Sequence, residues 1–527
     1  MAKAQPVLIA GQWRDSDQVG SFEPDNPRTR QPTGETYPVS SIAEVEEAIE
    51  AAAVASEQLL AHYPEGVAKF LEVFAERIEA RRDEIVAMAA SETGYPAAPR
   101  LNDIELPRTT DQIRQAAQAA RDRSWSMPTL DTASGIRSML APVEGGVAVF
   151  GPNNFPLAFN SVAGGDFAAA IAAGCPVIGK ANSSHPGTSR LLAEEALVAV
   201  TEAGLPPATV QLIYRTDHEV GKRLVSHPLI GGTGYTGSRH AGLTLKEAAD
   251  RGGKPIYLEL SSVNPVYILP GALRERSDAI AEEFQTSCLM GTGQFCTNPG
   301  IVVLVAGEQT DAFVEAVSGR FDAAAVGTLL ASGVESGMTA SVKTLTSAGA
   351  TLVTGGEAEA GEGFSYSNTL LTVTGQKFLA DPETLQTEAF GNESLFVIAA
   401  ELDEAVEIAR HFEGNLTGCV YSDTEGSDDA AYDRIAPLLR RKVGRLLNDK
   451  MPTGVAVVPS MNHGGPFPAT GHAGFTAVGI PASLRRFTML QCFDNVRSQR
   501  LPAELQDNNP MQIQRLVDGV WTDAPTG

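Results

Sequence analysis

No stretch of this chain reaches the roughly 20 consecutive apolar residues that a membrane-spanning helix requires, so no membrane partner is expected. The segment from Met1 to Arg14 lacks the apolar core of a signal peptide, which makes a cytoplasmic location the expectation. Basic residues are in short supply: 40 Lys and Arg stand against 64 Asp and Glu, a net charge of -24, and no basic cluster interrupts that balance. Such a surface repels a phosphate backbone and excludes nucleic acid as an expected partner. Cysteine is scarce as well. Cys175, Cys288, Cys296, Cys419 and Cys492 form an odd, widely spaced set with no Cys-x-x-Cys and no histidine at zinc-ligand spacing. A disulfide framework and a metal site are thereby excluded, and reduced thiols are predicted. Finally, no Gly-x-Gly-x-x-Gly follows the apolar run Gly146 to Phe150, so the usual dinucleotide fingerprint is absent.

What is present describes a large globular protein. At 527 residues the chain has room for about three structural units at roughly 150 residues each. With 43% hydrophobic and 20% charged residues it matches ordinary soluble folds rather than disordered ones. The first 130 residues read largely as helix, with apolar spacing of three and four over Ser41 to Leu60, Pro64 to Ala90 and Ile104 to Arg121. From Gly146 strands alternate with helices. Predicted strands are Gly146 to Phe150, Pro176 to Gly179, Thr209 to Tyr214, Gly234 to Thr236 and Ile256 to Leu260, with the first helix beginning near Phe155. A second alternating stretch follows Asp278, including strands at Ile301 to Val305, Thr351 to Thr354 and Leu395 to Ile398. The fold class is therefore α/β, with two doubly wound, mostly parallel sheets. Residues 1–127 with 143–260 make one unit and 261–485 another. Segments 128–142 and 486–527 lie outside both patterns and suit either surface connectors or strands donated to a neighbouring subunit.

Two segments carry chemistry. Cys296 sits in Gly293-Gln294-Phe295-Cys296-Thr297-Asn298-Pro299-Gly300, a loop between a helix and an apolar strand. Loops of that composition present a side chain at a cleft, and a thiolate there is a nucleophile. Glu259 lies earlier, in Tyr257-Leu258-Glu259-Leu260-Ser261-Ser262-Val263-Asn264-Pro265, at the end of an apolar strand. Carboxylates are seldom buried without a partner or a function. The carboxyl ends of parallel strands face the ligand crevice, which makes Glu259 a candidate general base or, alternatively, half of a structural ion pair.

Together these segments resemble the aldehyde dehydrogenase superfamily. The likeness extends to Asn153-Asn154-Phe155-Pro156-Leu157, to Pro176-Val177-Ile178-Gly179-Lys180, to Tyr235-Thr236-Gly237-Ser238 with Gly242, and to Glu388-Ala389-Phe390-Gly391. It implies two Rossmann-like domains plus a β oligomerisation element, a homodimer or homotetramer, and oxidation of a small-molecule aldehyde to an acid. Residues 1–127 and 143–260 would bind the cofactor, 261–485 would be catalytic, and 128–142 with 486–527 would form the arm. By the same resemblance Cys296 is the nucleophile, Glu259 activates water, and the Asn154 amide holds the oxyanion. Lys180 and Ser183 fall at the adenosine ribose, Gly237, Ser238 and Gly242 near the pyrophosphate, and Glu388 with Phe390 at the nicotinamide end. NAD-preferring relatives commonly carry Glu at the position of Ser183. A serine removes a charge that would repel a 2′-phosphate, so NADP is the expected cofactor, with NAD possible.

Within the superfamily, Asn462-His463-Gly464-Gly465-Pro466-Phe467-Pro468-Ala469-Thr470 and Leu516-Val517-Asp518-Gly519 look like the α-ketoglutaric semialdehyde (2,5-dioxopentanoate) dehydrogenase branch. That branch is also similar to NADP-linked long-chain fatty aldehyde dehydrogenases. A substrate bearing a carboxylate would need a cation, for which Arg108 and Arg114 are candidates. Phe155 is expected to line the substrate pocket. His463, in a Gly/Pro loop, is expected to shape that pocket rather than to transfer protons. Cys288 is expected to pack in the core. Against an acyl-transferring or non-catalytic relative stands the presence of Cys296, Glu259 and Asn154 together.

Overall fold

The computed structural model describes residues 3–359 and 361–526. Its frame is three sheets. In the first, Ile256–Glu259, Ile230–Thr236, Gly146–Phe150, Val177–Lys180 and Val210–Ile213 run parallel in that spatial order, and an N-terminal hairpin, Val7–Ile9 with Gln12–Arg14, adds antiparallel at the far edge. The order reverses beside Gly146–Phe150, the switch point at which such sheets open a crevice at their carboxyl ends. The central strands are largely apolar, as burial on both faces by helices demands: Gly146–Phe150 and Val210–Ile213 are buried throughout, Gln211 being the polar exception in the latter.

The second sheet has the order Thr351–Thr354, Thr369–Thr374, Glu393–Ala399, Ile301–Val305, Val266–Ile268, Asn415–Tyr421 and Val443–Asn448. All its pairings are parallel except the first. The third sheet joins two distant stretches: Thr488–Asp494 pairs antiparallel with Ile136–Pro142 over seven registered positions, while Thr129–Leu130 pairs parallel with Arg515–Val517. Its outer strands leave Leu490, Met489, Val520 and Trp521 exposed.

Several expectations need correction. The opening of the chain is not helical: strands Val7–Ile9, Gln12–Arg14, Gln18–Phe22 and Tyr37–Ser40 precede the first long helix, Ile42–Leu59. Their apolar runs are too short to show a period and are fixed by pairing with distant strands, such as Leu8 with Leu212. The helical stretch predicted from Pro64 to Ala90 is two helices, Glu65–Ala80 and Arg82–Thr93, separated by Arg81 at φ -101 and ψ 16. No helix begins at Phe155; the helix is Gly165–Ala173, and the preceding residues form successive turns. The buried Glu105 carboxylate accepts the N–H groups of Leu157 and Ala158 there, replacing the bonds a helix would have supplied.

Candidate active site

The strand Ile256–Glu259 ends with Glu259 pointing into the interior, 1% exposed. Past it the chain turns at Asn264, whose φ of 46 lies in the left-handed region that asparagine tolerates. The Asn264 amide donates to the carbonyls of Cys296 (2.9 Å) and Asn298 (2.8 Å), tying the cysteine loop to the strand exit. Asn415 completes the tie, its Oδ1 accepting the N–H groups of Val263 and Asn264. The motif contained Asn264, but nothing in spacing marked it as the post on which the nucleophile loop hangs.

A third segment closes the site. Residues 462–471 run back beside the Glu259 strand, where Leu260 N–H donates to Ala469 and Gly471 N–H to Leu258. The approach is so close that a Cβ on Gly464 would collide with the Phe475 carbonyl oxygen. This places His463, 2% exposed, with Nε2 2.8 Å from Glu259 Oε1 and 3.3 Å from Cys296 Sγ. The ligand atoms of Glu259, Cys296 and His463 all lie within 4.8 Å of one another. The expectation that His463 merely shapes a pocket thus understates its position: it bridges the thiol and the carboxylate.

Electrostatics within this cluster oppose thiolate formation in the resting protein. Burial pushes the Cys296 thiol well above its usual range, the negative charge of Glu259 pushes the same way, and Arg108 pulls back. The second oxygen of Glu259, Oε2, has no hydrogen-bond partner among the described residues. Asn154, 4% exposed, spends one amide N–H on the Gln294 carbonyl at 2.9 Å and retains a second N–H.

Around the cluster lie Phe155, Phe159, Phe295 and Phe475, with Phe155 packed edge-on against Phe295 at 5.2 Å between centroids. Two arginines cover the rings of Phe155, Phe159 and Phe295. Arg100 lies 4.7 Å from the Phe155 centroid, is ion-paired with Glu105 and donates to the Asn154 carbonyl. Arg108 lies 5.2 Å from the Phe159 centroid and 5.5 Å from that of Phe155. Arg114 is elsewhere: it pairs with Glu79 at 2.8 Å on the outer face. Six residues along a helix rotate a side chain by roughly 240°, which carries Arg114 away from the face that Arg108 occupies. The pair Arg100 and Glu105 was not foreseen, because their helical segment gives no periodic signal for a buried ion pair.

Two cavities meet at this point. A cavity of about 290 Å³ reaches Cys296, Glu259, Asn154, Glu388 and Phe390. It shares Pro152, Asn153, Thr236, Gly237 and Ser238 with a cleft of about 710 Å³ that runs past Lys180 and Ser183. Ser238 caps the helix Arg239–Arg251, accepting from Ala241 N–H, so a helix N-terminus faces the middle of the groove. Gly242 follows on that helix, where a Cβ would collide with Leu260. Burial lowers Lys180 to about 8 and raises Glu388 to about 7. A half-buried cation and a half-buried carboxylate, neither ion-paired among the described residues, line the two ends of a groove crossed by a helix terminus. These features fit a dinucleotide, with phosphates at the centre and a ribose at each end. Cys288, by contrast, is fully buried in the core of the second sheet.

This fold and this site are those of an aldehyde dehydrogenase: the profile of the aldehyde dehydrogenase family matches residues 13–465, and the chain belongs to that family. It is 37% identical over 529 residues to α-ketoglutaric semialdehyde dehydrogenase 2 of Azospirillum brasilense, covering 97% of this chain and 98% of that protein. The α-ketoglutaric semialdehyde dehydrogenase of Acinetobacter baylyi is likewise 37% identical, covering 98% of each. Among solved structures, aldehyde dehydrogenase C of Pseudomonas syringae, with NAD+ and octanal bound, superposes with a TM-score of 0.78 at 21% identity, covering 93% of this chain and 97% of that one. No helix among the described residues is long and apolar enough to cross a membrane.

Proposed function

We propose that this protein oxidises 2,5-dioxopentanoate to 2-oxoglutarate with NAD(P)+, through a thioester on Cys296. The observation that carries the reaction is the cluster of Cys296, His463 and Glu259 at the meeting of a dinucleotide-sized cleft and an aromatic pocket. The substrate reading is supported by the relatives of nearly full-length similarity.

The chemistry follows from what each side chain can supply. The Cys296 proton passes to solvent water, and the thiolate left behind faces the Nε2–H of His463, which also donates to Glu259 Oε1. Sγ then bonds to the aldehyde carbon, and the carbonyl electron pair moves onto oxygen, which the Asn154 amide receives. Glu388 and Phe390 would hold the nicotinamide end of the cofactor near Cys296, where it would supply two-electron oxidation by taking the hydride as the thiohemiacetal becomes a thioester. Glu259 next accepts a proton from water, the water oxygen bonds to the thioester carbon, and the C–S bond breaks to release the acid. Lys180, Ser183, Gly237, Ser238, Gly242, Glu388 and Phe390 are proposed to hold the cofactor. Ser183 at the ribose end, with Arg215 beside Lys180, favours NADP over NAD.

The ring cluster around Cys296 also favours a second reading, oxidation of a long-chain aliphatic aldehyde, since an apolar tail would pack well there. The two are separated by kcat/KM for 2,5-dioxopentanoate and for a long-chain aldehyde, each with NADP and with NAD. A marked preference for the dioxo acid supports the proposal, and preference for the aliphatic aldehyde replaces its substrate. Absence of turnover with either, by correctly folded protein, defeats the enzymatic reading. The third sheet, with Leu490 and Trp521 exposed, is proposed as the oligomerisation element; sedimentation of wild type and Leu490→Asp tests it, a monomeric wild type being the adverse result.

A further inference from the structure

We infer that Arg108 is the anion anchor of the acyl pocket, accepting the distal carboxylate of an ω-carboxy aldehyde while the aldehyde carbon lies against Cys296. The inference rests on the proposed reading of this site as an aldehyde oxidation centre and names how its substrate is selected.

Three arginines surround the nucleophile, and their hydrogen bonds distinguish them. Arg100 is committed: one nitrogen is paired with Glu105, another donates to the Asn154 carbonyl. Arg445 is committed too, donating to the carbonyls of Pro452 and Gly454. Arg108 is not. Its Nε and Nη2 are buried and have no hydrogen-bond partner among the described residues. The nearest acid on its own helical segment, Glu105, is already saturated by Arg100 and by the N–H groups of Leu157 and Ala158.

A guanidinium carries five N–H donors and cannot shed its charge, so leaving two of them buried and unpaired is costly. Proteins avoid that cost unless something arrives to fill the site. Cation–π contact with Phe155 and Phe159 holds the group in place without consuming its donors. Phe159 in turn lies 5.8 Å from the His463 ring, so the guanidinium sits on the aromatic cluster beside the nucleophile. An anchor here would be a planar, charge-assisted fork matched to a carboxylate and poorly matched to a methyl terminus. The aromatic lining then serves the carbon chain between the two ends.

The experiment compares wild type, Arg108→Met and Arg108→Lys on three aldehydes: 2,5-dioxopentanoate, 5-oxopentanoate and the uncharged pentanal. Because Arg108 also steadies the Cys296 thiolate, the variant is expected to slow all three, so the quantity read is the ratio of kcat/KM for a carboxylated aldehyde to that for pentanal. Loss of a charged hydrogen-bonded pair predicts that Arg108→Met lowers this ratio on the order of 10- to 100-fold. The loss should fall mainly in KM, and lysine should restore part of it. A ratio unchanged within twofold, with the variant folded and turning over pentanal, overturns the inference. Failure of the substrate reading looks different: wild type would then prefer pentanal, or 5-oxopentanoate over the dioxo acid, while the Arg108 variants still altered the ratio. Protection of Cys296 from iodoacetamide by glutarate gives an independent readout. Wild type is expected to be protected and Arg108→Met not, and equal protection of the two would contradict the anchor.

Discussion

His463 Nε2 and Glu259 Oε1 stand 2.8 Å apart, and the same imidazole nitrogen lies 3.3 Å from Cys296 Sγ. One imidazole N–H therefore faces both the sulfur and the carboxylate proposed to activate water. Because Glu259 is one cause of the raised thiol pKa, its removal has opposite effects on two steps. In Glu259→Gln the repulsion is gone, so iodoacetamide should alkylate Cys296 faster at pH 7 than in wild type. Turnover should nevertheless drop by about 10²-fold or more, with a stoichiometric burst of reduced cofactor as the thioester accumulates. Slower alkylation together with no burst would contradict this assignment.

His463→Asn tests the other half of the pair. Thiolate grows as pH rises through the elevated Cys296 pKa, and loss of the imidazole removes the N–H that faces the thiolate. The pH midpoint of alkylation should move further up, and the burst itself should slow by about 10²-fold. A purely structural histidine would lower the active fraction without moving the midpoint.

Cofactor choice is predicted to turn on Ser183, which lines the cleft near Lys180. Introducing a carboxylate by Ser183→Glu should repel a 2′-phosphate and shift the NADP to NAD preference in kcat/KM on the order of 10- to 100-fold toward NAD. An unchanged ratio would place the 2′-phosphate elsewhere.

Cofactor affinity should have a defined pH window. Lys180, lowered to about 8 by burial, loses its positive charge as pH rises through that value. Glu388, raised to about 7 by burial, becomes an acceptor for ribose hydroxyls only as pH rises through 7. NADP binding should therefore be tightest between about 7 and 8 and weaken on both sides, as followed by tryptophan fluorescence. In Glu388→Gln the acidic limb should flatten while the alkaline limb persists.

The buried pair of Arg100 and Glu105 holds the Asn154 loop, since Glu105 accepts two of its N–H groups and Arg100 donates to Asn154. Glu105→Ala leaves a buried guanidinium and two amides unpaired. A cost of about 3–5 kcal/mol is expected, visible as a lower thermal inactivation midpoint. Residual folded enzyme should have a reduced kcat, because the oxyanion amide loses its support.

The sequence by itself determined a good deal of this protein. Alternation of apolar strands and helices after Gly146 marked the doubly wound sheets, because parallel strands covered on both faces are mostly apolar along their length. Local motifs were enough to single out Cys296 and Glu259 as candidates, since each lies in a short stretch whose chemistry is readable without neighbours, and the family resemblance added Asn154. Distance along the chain hid the rest. The N-terminal strands acquire their form only by pairing with partners such as Leu212, and a three-residue strand carries no period of its own. His463 lies 204 residues after Glu259, and only the packing of its Gly-Gly loop against Phe475 and the Glu259 strand turns a pocket histidine into a bridge between base and nucleophile. Arg108 and Arg114 look equivalent as letters. The tertiary structure separated them, because one helical face meets the aromatic pocket and the other meets solvent and Glu79.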